Sequence, residues 1–403
     1  MTQNIRYDSK SDFLLVFLLL FVSGNPAFYR QSWYIEGIVF VSLFLLLMLK
    51  KYLTREFLLK YLTYISIFLV IFLIQYFNLG YLSINTVFGF AFRVFIGGII
   101  FYKVGDRFSP LFFNVMYWLC ILSFPFYLLH LVEGENALPF TLVDSPRSIL
   151  FYTFRPQVFE SFLRNSGMFW EPGAFQGYIN LCLFLNFRRI PYIFKFQKVK
   201  LIVILLTLVT TQSTTGYLTF GILCAIYLLM FSHINKLALS FLILIFFFLS
   251  FYAYNKLDFL GEKISAQYNE AIQAQGDFDP RRFGALLFDW HYIQKNPLTG
   301  NGFSDVTRFA DHPFLLQEIR SGENLGLGNG FSNFIASAGI LGMLWYLYLI
   351  IKNQTKEARK DSIILCVLLI ILLQGEPFLN FAFFLGMPFI VLYYRNLTLD
   401  ENV

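Results

Sequence analysis

Apolar segments of about the length that crosses a bilayer recur along almost the whole chain. A membrane-spanning helix needs roughly 20 mostly apolar residues, because its backbone must satisfy its own hydrogen bonds within the lipid. The composition agrees, since 57% of the residues are hydrophobic and 14% are charged. We therefore expect residues 1–403 to form one all-α polytopic membrane domain with about 12 transmembrane helices. The expected spans lie near 12–23, 33–49, 57–77, 84–102, 111–131, 169–187, 200–213, 216–232, 236–254, 330–351, 362–375 and 377–394.

Lysine and arginine gather in four clusters on one side of this arrangement. Because cytoplasmic loops are enriched in basic residues, that side is predicted to be cytoplasmic, and both termini are expected there. These loops account for the net charge of +6, so it does not indicate nucleic acid. The two longest loops, 132–168 and 255–328, are then expected to face outward. The clusters are Lys50 to Lys60, Lys103 and Arg107, Arg188 to Lys200, and Lys352 to Lys360.

The loop 255–328, which precedes the last three predicted spans, holds most of the reactive side chains. Its helical spacing predicts that it is partly folded against the bundle. Several cations on the outer side could bind a pyrophosphate and stabilise the charge that develops as it leaves, although a solvated surface explains them equally well. Histidine titrates near neutrality, which makes the loop histidines candidates for proton transfer, with an ordinary surface role as the alternative. These residues are Arg281, Arg282, Arg308, Arg320, His291 and His312.

Two further positions outside this loop are unusual. Arg93 lies in the middle of the apolar segment INTVFGFAFRVFIGGII. A charge at membrane depth requires a partner or a wet cavity, so Arg93 either pairs with Glu36 or Glu171 or faces an anionic head group.

The stretch RNSGMFWEPGAFQGY, from Arg164 to Tyr178, is the turn from an outer loop into a helix. Glu171 there either stabilises the helix start or acts as a general base.

The sequence contains no recognisable motif for metal binding or for binding the phosphates of a nucleotide. There is no HExxH motif, no cluster of cysteine and histidine with metal-ligand spacing, and no GxxxxGK[ST] phosphate loop. We therefore expect no metal and no cofactor.

Three motifs together resemble the Wzy-type polymerases of O-antigen and capsule, which are related to the O-antigen ligases. RNSGMFWEPGAF resembles the arginine and Glu-Pro-Gly pattern of that family. PRRFGALLFDWHYIQKNPLTGNGF resembles its arginine, helix and glycine-turn pattern, and GNGFSNFIASAGILG its entry into the next helix. One position departs from the pattern, since Gly328 precedes Asn329 where the ligases and many polymerases have histidine. This difference argues against a mechanism that needs that histidine, and somewhat against a ligase.

The resemblance implies a metal-independent glycosyltransferase of the GT-C-like membrane class, in the cytoplasmic membrane of a bacterium. It implies transfer of a glycan from undecaprenyl-pyrophosphate to a lipid-linked repeat unit on the outer face, with a chain-length regulator as a further partner. The alternatives are an O-antigen ligase, which would use lipid A core as acceptor, and a flippase for lipid-linked oligosaccharides.

In our hypothesis for the reaction, arginine side chains bind the diphosphate. Glu171 or His312 takes the proton of the attacking sugar hydroxyl, and Asn329 orients a loop or the sugar. The cations are Arg93, Arg164, Arg281 or Arg282, Arg308 and Arg320.

Overall fold

A computed structural model describes the positions of residues 9–27, 53–138, 141–144, 147–155, 163–231, 282–312, 314–315 and 328–392. The predicted spans near 33–49 and 236–254, and the first part of the loop 255–328, lie outside these residues. The described part is predominantly helical. Its α-helices are α1 Ser9–Gly24, α2 Arg55–Leu79, α3 Ile84–Val104, α4 Phe108–Glu133, α5 Pro172–Leu185, α6 Ile190–Phe196, α7 Lys198–Thr210, α8 Thr214–Phe231, α9 Arg282–Lys295, α10 Asp305–Arg308, α11 Gly330–Lys352, α12 Arg359–Leu373 and α13 Ala382–Leu385.

Four helical stretches of the described part are long and apolar enough to cross a membrane: Arg55–Leu79, Ile84–Glu133, Thr214–Phe231 and Gly330–Lys352. The second contains α3 and α4, which a 3₁₀ turn at Gly105–Arg107 joins. Helix α2 shows the division of faces expected of a helix in lipid, with Phe57, Tyr64 and Phe68 buried while Leu62 and Phe77 are exposed. These observations support a helical membrane protein.

A small antiparallel sheet, which the sequence did not predict, lies within the predicted outer loop 132–168. Strand β1 Val143–Asp144 pairs with β2 Arg147–Ser148, which pairs with β3 Thr153–Phe154. Asn25 after helix α1 donates through Nδ2 to the carbonyls of Ile149 and Leu150, at 3.2 and 2.9 Å. These bonds attach the loop to the helix bundle.

Helix α11 is interrupted at Gly339, and the turn that follows α9 fills the break. Gly339 has φ 74° and ψ 172°, which is not helical. The amide groups of Ile340 and Leu341 donate to the carbonyls of Pro297 and Leu298, at 2.9 and 3.1 Å. The two glycine-rich motifs, NPLTGNG and SAGILG, are therefore joined through their backbones.

The continuous helix predicted over 377–394 is wrong for the described part of that segment. The chain there forms two 3₁₀ turns, Phe378–Asn380 and Met387–Phe389, on either side of the short helix α13. Pro377 and Pro388 interrupt a regular helix because they lack an amide hydrogen. Side chains replace the lost bonds: the Tyr346 hydroxyl donates to the Phe384 carbonyl at 2.7 Å, and the Phe383 amide donates to Ser23 Oγ at 3.0 Å.

Candidate active site

A buried ion pair connects helix α9 to the short helix α10. Asp289 lies on α9 and is fully buried, and Arg308 ends α10 with a side chain that is 3% exposed. Arg308 Nη2 donates to Asp289 Oδ1, and the Ser332 hydroxyl on α11 donates to Oδ2 at 2.5 Å. Both carboxylate oxygens are therefore used, and three separate elements meet at this carboxylate.

The guanidinium of Arg308 is only partly satisfied by this pairing. It lies 4.5 Å from the centre of the Tyr292 ring and 5.2 Å from that of Phe309, within the range of cation–π contacts. Its Nε and Nη1 have no hydrogen-bond partner in the described part of the chain. Donors left unpaired in a buried site cost free energy, so this arrangement favours an additional acceptor.

His312 joins the same cluster through Tyr292. The Tyr292 hydroxyl and His312 Nδ1 are 2.8 Å apart, and the His312 ring packs edge-on against Phe288 at 4.9 Å. Burial raises the pKa of Tyr292 to about 12, so its hydroxyl keeps its proton at neutral pH. Tyr292 thus contacts both the predicted proton-transfer residue, through its hydroxyl, and the guanidinium of Arg308, through its ring.

Asn329 begins helix α11 and connects this cluster to a second one. Its side-chain oxygen accepts the Ser332 amide at 3.0 Å, as an N-cap residue does, and its Nδ2 donates to Gln374 Oε1 at 3.0 Å. Gly330 packs so closely on the Glu376 carbonyl that a Cβ at position 330 would come within 2.1 Å of that oxygen. The start of α11 is thereby fixed against the segment Gln374–Pro377.

The second cluster surrounds the start of helix α5. Glu171 is the N-cap residue and Pro172 occupies the first turn, as predicted, although the Glu171 side chain makes no capping hydrogen bond. Glu171 Oε2 instead lies 3.8 Å from Arg155 Nη2. The buried Glu376 accepts the indole N–H of Trp170 at 2.9 Å. Both carboxylates converge on Gly173, where a Cβ would lie 2.2 Å from Glu376 Oε1 and 3.2 Å from Glu171 Oε1.

Arg164 lies beside the hydroxyl-rich turn TQSTTG, which connects α7 and α8. Its Nε donates to the Thr211 carbonyl at 3.1 Å. The neighbouring Asn165 bonds to Ser123 and Thr210 at 3.0 and 3.1 Å. This turn is therefore linked to the start of the Glu-Pro-Gly motif.

The structure brings some of the predicted site residues together and leaves others apart or undescribed. Arg308, His312 and Asn329 share one cluster, and Gln374–Glu376 connects it to the cluster around Glu171. Arg93 is half-buried on α3. Arg282 begins α9, but its side chain is not among those described, and Arg281 and Arg320 lie outside the described residues.

Four residues of these clusters were missed by sequence reasoning. Asp289 and Ser332 each appear as an isolated polar residue among apolar neighbours, and neither indicates its partner. Arg155 lies at the end of a short sheet that was not predicted. Glu376 did carry a signal, because Glu376-Pro377 repeats the dipeptide Glu171-Pro172 and stands between two apolar segments.

The buried carboxylate gives a testable pH dependence of stability. Burial raises the pKa of Asp289 to about 6, against the lowering effects of Arg308 and the bond from Ser332. Between the ordinary value of 3.8 and about 6, the folded protein binds a proton that the unfolded chain does not. The free energy of unfolding therefore falls as pH rises through this window. Above the window this loss of stability is complete. We expect Asp289→Asn to flatten the melting temperature of the detergent-solubilised protein between pH 4 and 7.

Asp361→Asn provides the matched control for this measurement. Asp361 also pairs with an arginine, Arg188, at 2.8 Å, but on a different helix. In the Asp361→Asn variant, the melting temperature should change with pH as it does in the wild type. If the melting temperatures of the wild type and of Asp289→Asn changed equally with pH, Asp289 would not be the source of this pH dependence.

Comparison with known protein families finds a match to the segment that contains the cluster around Asp289 and Arg308. Residues 200–347 match the family described as O-antigen ligase. This range extends from α7 into α11 and includes Asp289, Arg308, His312 and Asn329. No curated protein matches the chain. This segment of the chain is therefore similar to the O-antigen ligase family.

Proposed function

We propose that the protein is a polysaccharide polymerase that acts on the outer face of the bacterial cytoplasmic membrane. It transfers a growing glycan from undecaprenyl-pyrophosphate to a lipid-linked repeat unit. The observation that carries this proposal is the cluster of Arg308, His312 and Asn329 within the segment that matches the O-antigen ligase family. A cation, a proton-transfer group and a buried polar network there adjoin apolar helices that are long enough to cross a bilayer.

The chemistry requires that a sugar hydroxyl displaces a diphosphate. In the proposed step the hydroxyl oxygen attacks the anomeric carbon, the carbon–oxygen bond to the diphosphate breaks, and the diphosphate leaves with the electron pair. Glu171 or His312 accepts the proton of the hydroxyl. One displacement inverts the anomeric carbon. Arginines offset the growing charge, which makes the reaction independent of a metal. Those proposed are Arg93, Arg164, Arg281 or Arg282, Arg308 and Arg320.

The geometry supports these roles to different degrees. Glu171 is partly exposed, and both its carboxylate and that of Glu376 approach Gly173 at the start of α5, which places an accessible carboxylate there for the role of a base. His312 bonds to a protonated Tyr292. Asn329 holds the start of α11 in place, which agrees with a role in orienting the loop before it.

A ligase is the second candidate, because the matching family is described by that activity. The ligases and many polymerases carry histidine where this chain has Gly328, and this difference argues somewhat against a ligase. The proposed arrangement includes about 12 spans, cytoplasmic termini and the loops 132–168 and 255–328 on the outer side. A chain-length regulator is the proposed protein partner.

The direct test uses the purified full-length protein with an undecaprenyl-pyrophosphate-linked repeat unit. We expect longer lipid-linked products on a gel in the absence of nucleotide and in the presence of a chelator. Lipid A core, added as a competing acceptor, should receive no glycan. Transfer to the core without lengthening of the repeat would identify a ligase and overturn the polymerase assignment.

A further inference from the structure

A pocket, which we call the Gln75 pocket, opens where the turn between α2 and α3 meets the turn that leads into α10. Its volume is about 250 Å³, including the part that is open to solvent. This is below the roughly 300–1,000 Å³ of sites for drug-sized ligands, so it suits a single small ring. Its lining extends from the buried Gln75 to Tyr81, which is 43% exposed. The pocket therefore connects a buried polar side chain with the surface.

The side-chain amide of Gln75 has a fixed orientation. Its Nε2 donates to the carbonyls of Thr299 and Ser337, at 2.5 and 2.8 Å. A carbonyl oxygen accepts and cannot donate, so the amide nitrogen must face these two carbonyls and Oε1 must face away from them. This Oε1 is buried and has no hydrogen-bond partner in the described part of the chain. A buried acceptor without a donor is unfavourable, so we expect a donor from outside this part of the chain.

Gly302 leaves the space beside this oxygen open. A Cβ on Gly302 would lie 3.7 Å from Gln75 Oε1 and 2.7 Å from Thr307 Oγ1, so a side chain there would occupy the gap between the two oxygens. The Thr307 hydroxyl donates to the Ser304 carbonyl at 3.1 Å, and its oxygen can still accept a hydrogen bond. Two acceptors therefore border one gap in the lining.

The chemistry of the lining indicates the class of ligand. Of the described residues that line the pocket, none is charged. Amide and hydroxyl oxygens bind a hydroxyl or an amide N–H, and they offer an oxyanion no opposite charge. The aromatic rings of Tyr81 and Phe303 lie in the same lining, and an aromatic ring packs well on the apolar face of a sugar. A neutral sugar combines these two requirements.

We propose that the Gln75 pocket is a subsite for one neutral sugar residue of the lipid-linked glycan. A ring hydroxyl or an acetamido N–H of that sugar donates to Gln75 Oε1, and Tyr81 packs against its ring. Thr307 in the lining is adjacent to Arg308, so the subsite and the candidate active site share helix α10. That the sugar belongs to the reacting glycan rests on the proposed function, whereas the binding of a sugar does not.

The test measures the binding of free sugars to the full-length protein without any turnover. The protein is held in lipid nanodiscs, because many detergents carry a sugar head group that would compete. Methyl glucoside, methyl galactoside and N-acetylglucosamine are titrated while NMR detects the transfer of saturation from the protein to the sugar protons. Sorbitol is the acyclic control. We expect at least one of the three ring sugars to bind and sorbitol not to bind. Binding of N-acetylglucosamine alone would assign the acetamido N–H as the donor, and binding of the methyl glycosides would assign a hydroxyl.

Two substitutions locate the bound sugar. Tyr81→Ala should weaken sugar binding by about five- to tenfold, because it removes an exposed aromatic ring from the lining. Thr86→Leu should weaken it by about tenfold or more, because a bulkier apolar side chain replaces a hydroxyl of the lining. Gln75 itself is kept, since its nitrogen also holds the turn after α9 and the carbonyl of Ser337 on α11.

Tyr76→Ala is the matched control, and the melting temperature of each variant shows whether it is folded. Tyr76 is 47% exposed, lies near the same end of α2 and does not line the pocket, so its removal should leave sugar binding unchanged. Equal signals from sorbitol and the ring sugars in the wild type would overturn the proposal. So would wild-type affinity for sugar in both Tyr81→Ala and Thr86→Leu.

This outcome is separable from that of the proposed function. Sugar binding that both variants weaken, in a protein that lengthens no repeat unit, would support the subsite and exclude the polymerase. Lengthening with an unchanged KM for the repeat unit in both variants, together with no binding of free sugar, would do the reverse.

Discussion

Replacing Gly339 with alanine should lower the free energy of unfolding by about 3 kcal/mol or more, because two penalties combine there. The backbone at φ 74° and ψ 172° lies in a region that is essentially restricted to glycine. A Cβ at this position would also lie 2.0 Å from the Leu298 carbonyl oxygen, and backbone cannot move aside as a flexible side chain can. The measurement is the unfolding free energy in mixed detergent micelles, with the melting temperature as a second readout.

Gly89 provides a matched control, since it also lies in an apolar helix. A Cβ there meets nothing within 4 Å, and its φ is not positive. Gly89→Ala should be neutral or slightly stabilising, because alanine favours a helix by about 0.5–1 kcal/mol relative to glycine. If both variants had similar stability, the break in α11 would not be the constraint that the structure indicates.

Replacing Glu171 with glutamine should slow glycan lengthening by about 100- to 10,000-fold if this carboxylate is the general base. Glutamine keeps the size and the hydrogen-bonding oxygen of the side chain, so the start of α5 should remain folded. The measurement is the initial rate of lengthening in the purified system over a range of pH, together with the melting temperature. Glu357→Gln, which removes an exposed carboxylate beyond α11, should leave the rate unchanged.

The same experiment distinguishes Glu171 from His312. If His312 accepts the proton instead, His312→Gln should show the large loss and Glu171→Gln only a small one. The rate should then fall below a pH in the range where histidine titrates. Full activity in both variants would remove both residues from the proposed mechanism.

The helices were predictable where a local property determines them. The expected spans 57–77 and 84–102 correspond to Arg55–Leu79 and Ile84–Val104. Their starts follow from local chemistry too, since Thr54 and Ser83 cap them with side-chain oxygens. A run of apolar residues with a capping residue before it needs no distant partner to form a helix.

The rest of the fold depends on contacts between residues that are distant in sequence. The break at Gly339 forms because the carbonyls of Pro297 and Leu298 replace the helical acceptors. No property of SAGILG alone indicates this replacement. Glycine on its own would have been compatible with an unbroken helix.

The candidate site was likewise predictable in its residue types but not in its pairings. Arg308, His312 and Glu171 were identified because charged and titratable residues are rare in so apolar a chain, and Asn329 was identified through the resemblance of its motif to a known family. Asp289 was missed because a single acid on a helix gives no indication of the arginine 19 positions later that neutralises it. Spacing along one chain does not specify which cation meets which anion.

The irregular segment from Phe378 to Ile390 has a consequence for how the protein is made. Besides the bonds within its short turns, its backbone takes hydrogen bonds from side chains elsewhere in the chain, namely Ser23, Tyr346 and Gln354. A segment with so many unmet backbone groups cannot enter lipid by itself. We therefore expect it to pack in the membrane only once the helices that carry these partners have been inserted, which would make its packing a late step in assembly.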